Sequence, residues 1–121
     1  MEFDNNKPIY LQIYDGICNG VLSGALPEGE RIPSVRDYGA QIGVNPNTVV
    51  RTYEKLTQDE IIYNKRGIGY FVSEGARKKI LKVQRRIFMT EELPRIRERL
   101  RLLELDPSEI FSHPSPKQDE E

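Results

Sequence analysis

Hydrophobic residues near the start of the chain repeat at helical spacing. Isoleucine and valine side chains stand four residues apart between residues 9 and 21, with tyrosine, cysteine and leucine on the adjoining row. This stripe predicts an amphipathic helix. Pro8 suits its first position and Gly24 its end. Cys18 lies on the stripe, so we interpret it as a small buried side chain rather than a reactive thiol.

Two shorter helical segments follow, with a turn between them. Residues 25–33 contain two prolines and a glycine and predict a loop. Ser34 opens a capping box for a short helix that must end at Gly43. After a three-residue turn, Asn45 as N-cap and a proline at the first position predict a second helix over residues 46–58. This layout is that of a helix-turn-helix.

Between residues 61 and 73 the pattern changes from helical to strand-like. β-Branched and aromatic residues flank a tip with the sequence KRGIG, which predicts a β-hairpin, and a short extended piece is expected at residues 31–32. A hairpin directly behind a helix-turn-helix makes a winged helix. Gly39, inside the first short helix, costs about 1 kcal/mol relative to alanine, which indicates that another stretch of backbone passes close to it.

Helical spacing returns after the hairpin, from residue 76 to about residue 89 and from about residue 91 to residue 103. Thr90 suits the N-cap of the second of these helices, and Pro94 marks a break between them. A further single turn is expected through Phe111. Apolar residues at steps of three and four predict a buried stripe. They are Ile80, Val83, Ile87, Leu93, Ile96, Leu100 and Leu103.

Composition restricts the classes of function. The chain has 121 residues, 37% hydrophobic and 31% charged, with a mean hydropathy of −0.60, so it can bury the core of one domain. No apolar run reaches the roughly 18 residues of a membrane span and no signal peptide is recognisable, so we expect a cytoplasmic protein. With one cysteine and one histidine, we expect no metal site, cofactor or Cys/His nucleophile, and no acid/base pair indicates an enzyme.

Charge is segregated along the chain, although the net charge is only −1. Residues 1–75 have a net charge of −3, residues 76–101 of +7 and residues 102–121 of −5. A pI of 5.9 fails the usual test for a nucleic-acid-binding domain, which looks for strong basicity. The second short helix is nevertheless locally basic by one charge, and the hairpin tip by two. Nucleic-acid binding therefore depends on where these charges lie.

The second helix of a helix-turn-helix enters the DNA major groove with its N-terminal residues at the base edges. Asparagine pairs with adenine and arginine with guanine, each contributing about 1–3 kcal/mol of discrimination, and Asn47 and Arg51 match this chemistry. Ser34 and Arg36 are placed to meet phosphates, because a helix N-terminus attracts anions. The two cations of the hairpin tip suit phosphate or minor-groove contacts.

Each of these residues also has a purely structural interpretation. A role as helix caps is sufficient to explain the presence of Ser34 and Asn45. Arg51 and Lys55 are compatible with a solvated helix face, and the hairpin tip with an ordinary polar turn. The segment with a charge of +7 is interpreted as solvated helical surface rather than a second DNA site, because its apolar stripe implies packing.

The segment GERIPSVRDYGAQIGVNPNTVVRTYEKLTQDEIIYNKRGIGYFV resembles the winged-helix domain of the GntR family of bacterial transcription regulators. Its motifs are G-x-x-x-P-S-x-R from Gly29, G-V-N-P-N-T-V from Gly43 and G-x-G-x-F-V from Gly67. The first helix, PIYLQIYDGI, also resembles that of the family. The forms PSVR and NPNTV, with fewer than 50 residues after the hairpin, are similar to the YtrA-like subfamily.

The resemblance implies that family DNA contacts carry over to Arg36, Thr48 and Gly67, with the neighbouring cations sharing the role of the wing. Many members have arginine at the positions of Pro46 and Val50, so we expect base reading to shift to the asparagine and arginine named above. The DNA-binding candidates are therefore Ser34, Arg36, Asn45, Asn47, Thr48, Arg51, Lys65, Arg66 and Gly67.

The resemblance also implies a short helical dimerisation region and repression, commonly of transporter operons. We predict a mostly α fold with a small β-hairpin: a winged helix-turn-helix in residues 1–75, a helical dimerisation region in residues 76–111 that pairs through the apolar stripe, and a disordered acidic tail in residues 112–121. The helical region is too small to enclose a ligand pocket of about 300 Å³ in one subunit, although a dimer could build one.

The predicted function is that of a homodimeric, sequence-specific regulator, expected to repress from an inverted-repeat operator in double-stranded DNA, with no membrane partner. Whether a small-molecule effector exists is left open. The alternative is a winged-helix protein-interaction module that never meets DNA, which the charge of −3 in residues 1–75 favours.

Overall fold

The computed structural model describes residues 6–112 and contains six α-helices, a π-helical turn and three strands in this part of the chain. The elements follow in the order α1 (Ile9–Ser23), β1 (Arg31–Ile32), α2 (Val35–Ile42), α3 (Pro46–Gln58), β2 (Ile62–Lys65), β3 (Gly69–Val72), α4 (Ala76–Ile87), the π turn (Phe88–Glu92), α5 (Leu93–Leu102) and α6 (Pro107–Ser112).

The strands form an antiparallel sheet in the order β1-β3-β2. The predicted hairpin is confirmed: β2 and β3 pair from Ile62 opposite Val72 to the tip. The extended piece at residues 31–32 adds a third strand, with Arg31 opposite Phe71. The fold is therefore a winged helix-turn-helix with a three-stranded sheet, mostly helical as predicted.

Local capping signals set the helix ends where the sequence predicts them. Gly24 ends α1 in a left-handed conformation, with φ of 88°. The Ser34 hydroxyl accepts a hydrogen bond of 3.1 Å from the N–H of Asp37 at the start of α2. At α3, Asn45 Oδ1 accepts one of 2.8 Å from the N–H of Asn47. Both helices of the helix-turn-helix therefore begin at side-chain caps.

The turn between α2 and α3 brings two stretches of backbone into close contact. Gly43 ends α2 in a left-handed conformation, with φ of 70°. Gly39 is buried, and a Cβ at this position would lie only 2.7 Å from the carbonyl oxygen of Val44. The close backbone approach predicted from the glycine is confirmed.

A fully buried tyrosine joins α3 to α2 and the sheet. Tyr53 is 1% exposed and packs its ring edge-on against Tyr70, with 4.9 Å between ring centres. The Tyr38 ring lies 6.4 Å away and is tilted by 36°. Its hydroxyl donates a hydrogen bond of 2.7 Å to the carbonyl oxygen of Pro33, which satisfies the polar end of the ring inside the core. The buried side chains of the core come from α1, α3, the sheet and α4.

The chain divides into two compact units, with the first ending at Val83 and the second beginning at Gln84. Residues 76–83, about the first two turns of α4, therefore belong to the first unit. Glu28 accepts hydrogen bonds of 3.0 Å from the N–H groups of Gly75 and Arg77 at the start of this helix. These backbone donors hold the pKa of Glu28 below its usual value.

Ile80 requires a correction to the predicted pairing stripe. This side chain is 3% exposed and lies in the core of the first unit, so it is unavailable to a second subunit. Its helical spacing indicated burial, but the residues that bury it belong to the same chain. The other six stripe residues remain accessible: Val83, Ile96 and Leu103 are exposed, and Ile87, Leu93 and Leu100 are half-buried.

The predicted break between the last two long helices is wrong. The backbone stays helical from α4 through the π turn into α5, with the N–H of Leu93 donating to the carbonyl oxygen of Phe88. Thr90 caps no helix; its hydroxyl donates a hydrogen bond of 2.8 Å to the carbonyl oxygen of Arg86. Pro94 has no N–H and therefore cannot donate a helical hydrogen bond. The π turn before it accommodates this missing bond while the backbone stays helical.

The second unit exposes much apolar surface. A groove of about 330 Å³ is lined by Phe88, Met89 and the polar residues beside them. The groove is open to solvent, but its volume exceeds the roughly 300 Å³ that we expected only for a pocket between two subunits. The single turn expected through Phe111 is present as α6. Of the predicted acidic tail, only Ser112 is described, and residues 113–121 lie outside the described part of the chain.

No helix among residues 6–112 is both long enough and apolar enough to cross a membrane.

Candidate nucleic-acid interface

The N-terminal half of α3 presents its polar side chains to solvent. Asn47 and Arg51 are exposed, and Thr48 is half-buried between them and the core. Val50, on the same face, is 37% exposed. Val49 and Tyr53 point the other way and are buried. The residues predicted to read bases therefore lie on the free face of the second helix, which matches the geometry that major-groove reading needs.

The two predicted caps have their side-chain oxygens engaged at helix starts. Ser34 Oγ and Asn45 Oδ1 each accept a backbone N–H, so the structural interpretation of both residues is confirmed. Within residues 6–112 these two side chains form no other hydrogen bond, and Arg36 is exposed in the first turn of α2, so all three are accessible to phosphates.

Arg51 stacks on an aromatic ring of α1. Its guanidinium carbon lies 3.8 Å from the centre of the Tyr10 ring, within the range of a cation–π contact. Within residues 6–112, Arg51 forms no salt bridge. By contrast, Lys55, one turn later on α3, pairs with Asp59 at 3.1 Å. Arg51 therefore keeps an uncompensated charge on the exposed face, whereas the charge of Lys55 is neutralised.

Asp59 also binds α3 to α1. Its carboxylate accepts a hydrogen bond of 2.6 Å from the Tyr14 hydroxyl in addition to the ion pair with Lys55. Burial raises the pKa of Asp59, but the hydrogen bonds from Tyr14 and Lys55 outweigh it, and the net pKa is lowered. Burial raises the pKa of Tyr14 far above its usual value, and the bond to Asp59 adds to that shift. This cluster stabilises the helix pair and leaves no free cation.

The start of α1 and the start of α3 enclose a cleft of about 340 Å³. Its walls are Pro8, Ile9 and Tyr10 on one side and Asn47, Thr48 and Arg51 on the other. The three candidates on α3 therefore lie together around one concavity, and α1 contributes half of its lining. Tyr10 is not among the DNA-binding candidates predicted from the sequence. Its spacing places it on the apolar stripe of α1, and spacing alone indicates only that the side chain is partly buried.

The wing carries more positive charge than the sequence predicted. Lys65 and Arg66 are exposed, and Gly67 turns the tip with φ of 80°. Arg31 packs its guanidinium over Gly69, where a Cβ would lie 2.8 Å from Arg31 Nε. The sequence analysis did not select Arg31, because only the pairing of β1 with β3 brings it to the wing. Its signal in the sequence was the short extended piece between two prolines.

Residues 9–72 match the sequence profile of the family described as bacterial regulatory proteins, gntR family. The transcriptional regulator YhcF of Bacillus subtilis is 43% identical over 75 residues, which cover 62% of each chain. The transcriptional repressor YtrA of the same organism is 38% identical over 73 residues, which cover 60% of this chain and 56% of YtrA. The match thus spans less than two thirds of either relative. Both names describe regulators, in agreement with the expectation that the chain is not an enzyme.

The fold is also similar to that of a GntR-family transcriptional regulator from Bacteroides thetaiotaomicron, of known crystal structure. The two chains are 45% identical with a TM-score of 0.65, over 87% of this chain and 91% of the other. The motifs at Gly29, Gly43 and Gly67, the winged helix built from them and the family match over residues 9–72 agree. The chain belongs to the GntR family of bacterial regulatory proteins.

Proposed function

We propose that this protein is a sequence-specific DNA-binding repressor that acts in the bacterial cytoplasm as a homodimer at an inverted-repeat operator. The observation that carries the proposal is the free N-terminal half of α3, where Asn47 and the unpaired Arg51 are exposed side by side. Asparagine and arginine are the side chains best suited to pair bidentately with adenine and guanine. Thr48, half-buried beside them, has a hydroxyl that suits a base or phosphate contact.

The electrostatics of residues 1–75 support this role despite their net charge of −3. The cations at the interface are Arg36 on α2, Arg51 on α3, and Arg31, Lys65 and Arg66 at the wing, and all of them are exposed. Of the acidic residues, Asp59 and Glu60 are engaged by lysines, and Glu28 caps a helix. None of these five cations forms a salt bridge within residues 6–112, so α2, α3 and the wing all present positive charge, which favours phosphate binding.

Dimerisation is supported by the accessible part of the apolar stripe. Val83, Ile96 and Leu103 are 42%, 39% and 53% exposed, and large exposed apolar surface marks interaction sites. A two-fold dimer requires an operator with two inverted half-sites, spaced by about 34 Å or a multiple of it along the DNA. The repressor assignment is supported by the similarity to YtrA, which is named a repressor.

The test begins with selection of duplexes from a random-sequence library by the full chain. Affinity for the selected duplex and for a scrambled one is then measured at several salt concentrations. Arg51→Ala is expected to lower affinity for the selected duplex about 5- to 100-fold, with little change on the scrambled one. Lys65→Ala is expected to weaken both equally and to lower the salt slope by about one.

Two outcomes would count against the proposal. Equal losses on both duplexes for Arg51→Ala would remove its base-reading role. A library that yields no enriched sequence, together with DNA binding that does not fall with log salt, would favour the protein-interaction module instead.

A further inference from the structure

We propose that Tyr10 is a positioning residue for base recognition, because its ring holds the Arg51 guanidinium in the orientation from which it contacts DNA. The inference rests on the proposed function, since it takes Arg51 as the base-reading residue. The guanidinium carbon lies 3.8 Å above the ring centre, yet Arg51 remains exposed. Stacking covers one face of the planar group and leaves the N–H donors at its edge free for bidentate pairing.

The backbone that carries this ring is itself fixed by the residue next to Arg51. Thr52 is fully buried, and its hydroxyl donates a hydrogen bond of 2.8 Å to the carbonyl oxygen of Tyr10. The same hydroxyl lies 3.3 Å from the carbonyl oxygen of Thr48. One short segment of α3 therefore presents the cation and also anchors the first turn of α1. This anchor holds the backbone of Tyr10, from which the ring reaches Arg51, against α3.

The consequence is a preorganised arginine. A free arginine side chain loses much rotational freedom when it binds, and immobilising a side chain of this kind weakens binding about 2- to 10-fold. Where the stack has already restricted the side chain, binding no longer includes that cost. Asn47, the second side chain proposed to read bases, lines the same cleft. By holding Arg51, the Tyr10 ring therefore also restricts the position of Arg51 relative to Asn47.

The helix pair contains a matched control one turn further on. The Tyr14 ring also carries a cation of α3, with Lys55 Nζ 4.9 Å from its centre. That lysine is neutralised by Asp59, so its contact with the ring serves the helix pair and not DNA. Substitution of Tyr14 therefore tests whether any loss of a tyrosine between α1 and α3 changes DNA recognition.

The experiment compares Tyr10→Phe, Tyr10→Leu, Arg51→Ala, the Tyr10→Leu/Arg51→Ala double variant and Tyr14→Leu in the full chain. The probes are the duplex selected from the random library and its scrambled version, and thermal melts establish that each variant is folded. If Tyr10→Leu is unfolded at the assay temperature, Tyr10→Met replaces it. The readout is the ratio of the two affinities, which a general loss of stability does not change.

We expect Tyr10→Leu to lower the ratio about 2- to 10-fold, the factor that corresponds to the cost of immobilising one arginine. Tyr10→Phe keeps the aromatic face and is expected to retain the ratio of the wild type. In the Arg51→Ala background, Tyr10→Leu is expected to have no further effect. Tyr14→Leu is expected to lower Tm without changing the ratio, because it removes the hydrogen bond to Asp59.

Different results separate the inference from the function on which it rests. If Arg51→Ala lowers the ratio but Tyr10→Leu does not, the positioning role is refuted and base reading by Arg51 stands. If Tyr10→Leu lowers the ratio equally with and without Arg51, Tyr10 acts on DNA by itself and the inference is again overturned. If Arg51→Ala leaves the ratio unchanged, the proposed base reader is wrong and the positioning role is refuted with it.

Discussion

Replacement of Gly39 by alanine is expected to destabilise the protein, although alanine is the better helix former. Helix propensity alone would favour alanine by about 1 kcal/mol. A methyl group at Gly39 would, however, lie 2.7 Å from the Val44 carbonyl oxygen, well inside van der Waals contact. Forcing extra atoms into a packed site costs about 1–3 kcal/mol. The sign of the net effect depends on whether the neighbour can move away.

Here the neighbour is the backbone of the turn between α2 and α3. The N–H of Val44 donates a hydrogen bond of 2.9 Å to the carbonyl oxygen of Gly39. This bond holds Val44 close to Gly39, so its carbonyl oxygen cannot easily move away from an added methyl group. Pro46, 3.6 Å from the same methyl position, already belongs to α3. Relief of the clash therefore requires α2 and α3 to separate. The cost of the clash should therefore lie in the upper part of its range, about 2–3 kcal/mol, and the helix-propensity gain of about 1 kcal/mol offsets part of it. We expect the free energy of unfolding to fall by about 1–2 kcal/mol.

Urea denaturation of the wild type, Gly39→Ala and Gly20→Ala measures the effect. Gly20 is the matched control because it also lies inside a helix, but its methyl group would meet the end of a flexible side chain, Leu26 Cδ1, at 2.8 Å. Gly20→Ala is therefore expected to be neutral or stabilising by up to about 1 kcal/mol. Gly39→Ala is also expected to bind the selected duplex more weakly, since the α2–α3 angle sets how α3 is presented. A Gly39→Ala protein as stable as the wild type would refute the reasoning.

Three further predictions concern the core, the thiol and the cap of α4. Ile80→Ala is expected to cost about 2–5 kcal/mol of stability at any protein concentration. Ile96→Glu should shift the proposed dimer to monomer in sedimentation without lowering the stability of the first unit. The reverse pattern would reject the reassignment of Ile80. Burial raises the pKa of Cys18 to about 12, so Ellman's reagent at about pH 8 should label only the urea-unfolded chain, and equal labelling of the native protein would contradict this. The pKa of Glu28 is lowered in the fold, so its contribution to stability is present above the ordinary value of 4.5 and is lost as the pH falls below it. Glu28→Gln should therefore flatten the acid limb of Tm against pH, and an unchanged limb would exclude the cap as its source.

The sequence by itself determined the elements whose signals are local. The caps at Ser34 and Asn45, the end of α1 at Gly24 and the hairpin all depend on residues a few positions apart, so their physical causes can be read along the chain. Gly39 belongs to the same group, because a turn of three residues brings its neighbour close whatever the rest of the fold does. The motifs built on these elements also indicated the family.

Only the tertiary structure decided which partners meet over long distances in the chain. Helical spacing showed that Ile80 is buried, but the spacing is the same whether the side chain faces its own core or a second subunit. Tyr10 and Arg51 are 41 positions apart, and so no local pattern reports their contact. Arg31 reaches the wing only through β1–β3 pairing, which likewise joins distant residues. The sequence could name the side chains that we propose to contact DNA, whereas their arrangement follows from packing between elements, which periodicity does not encode.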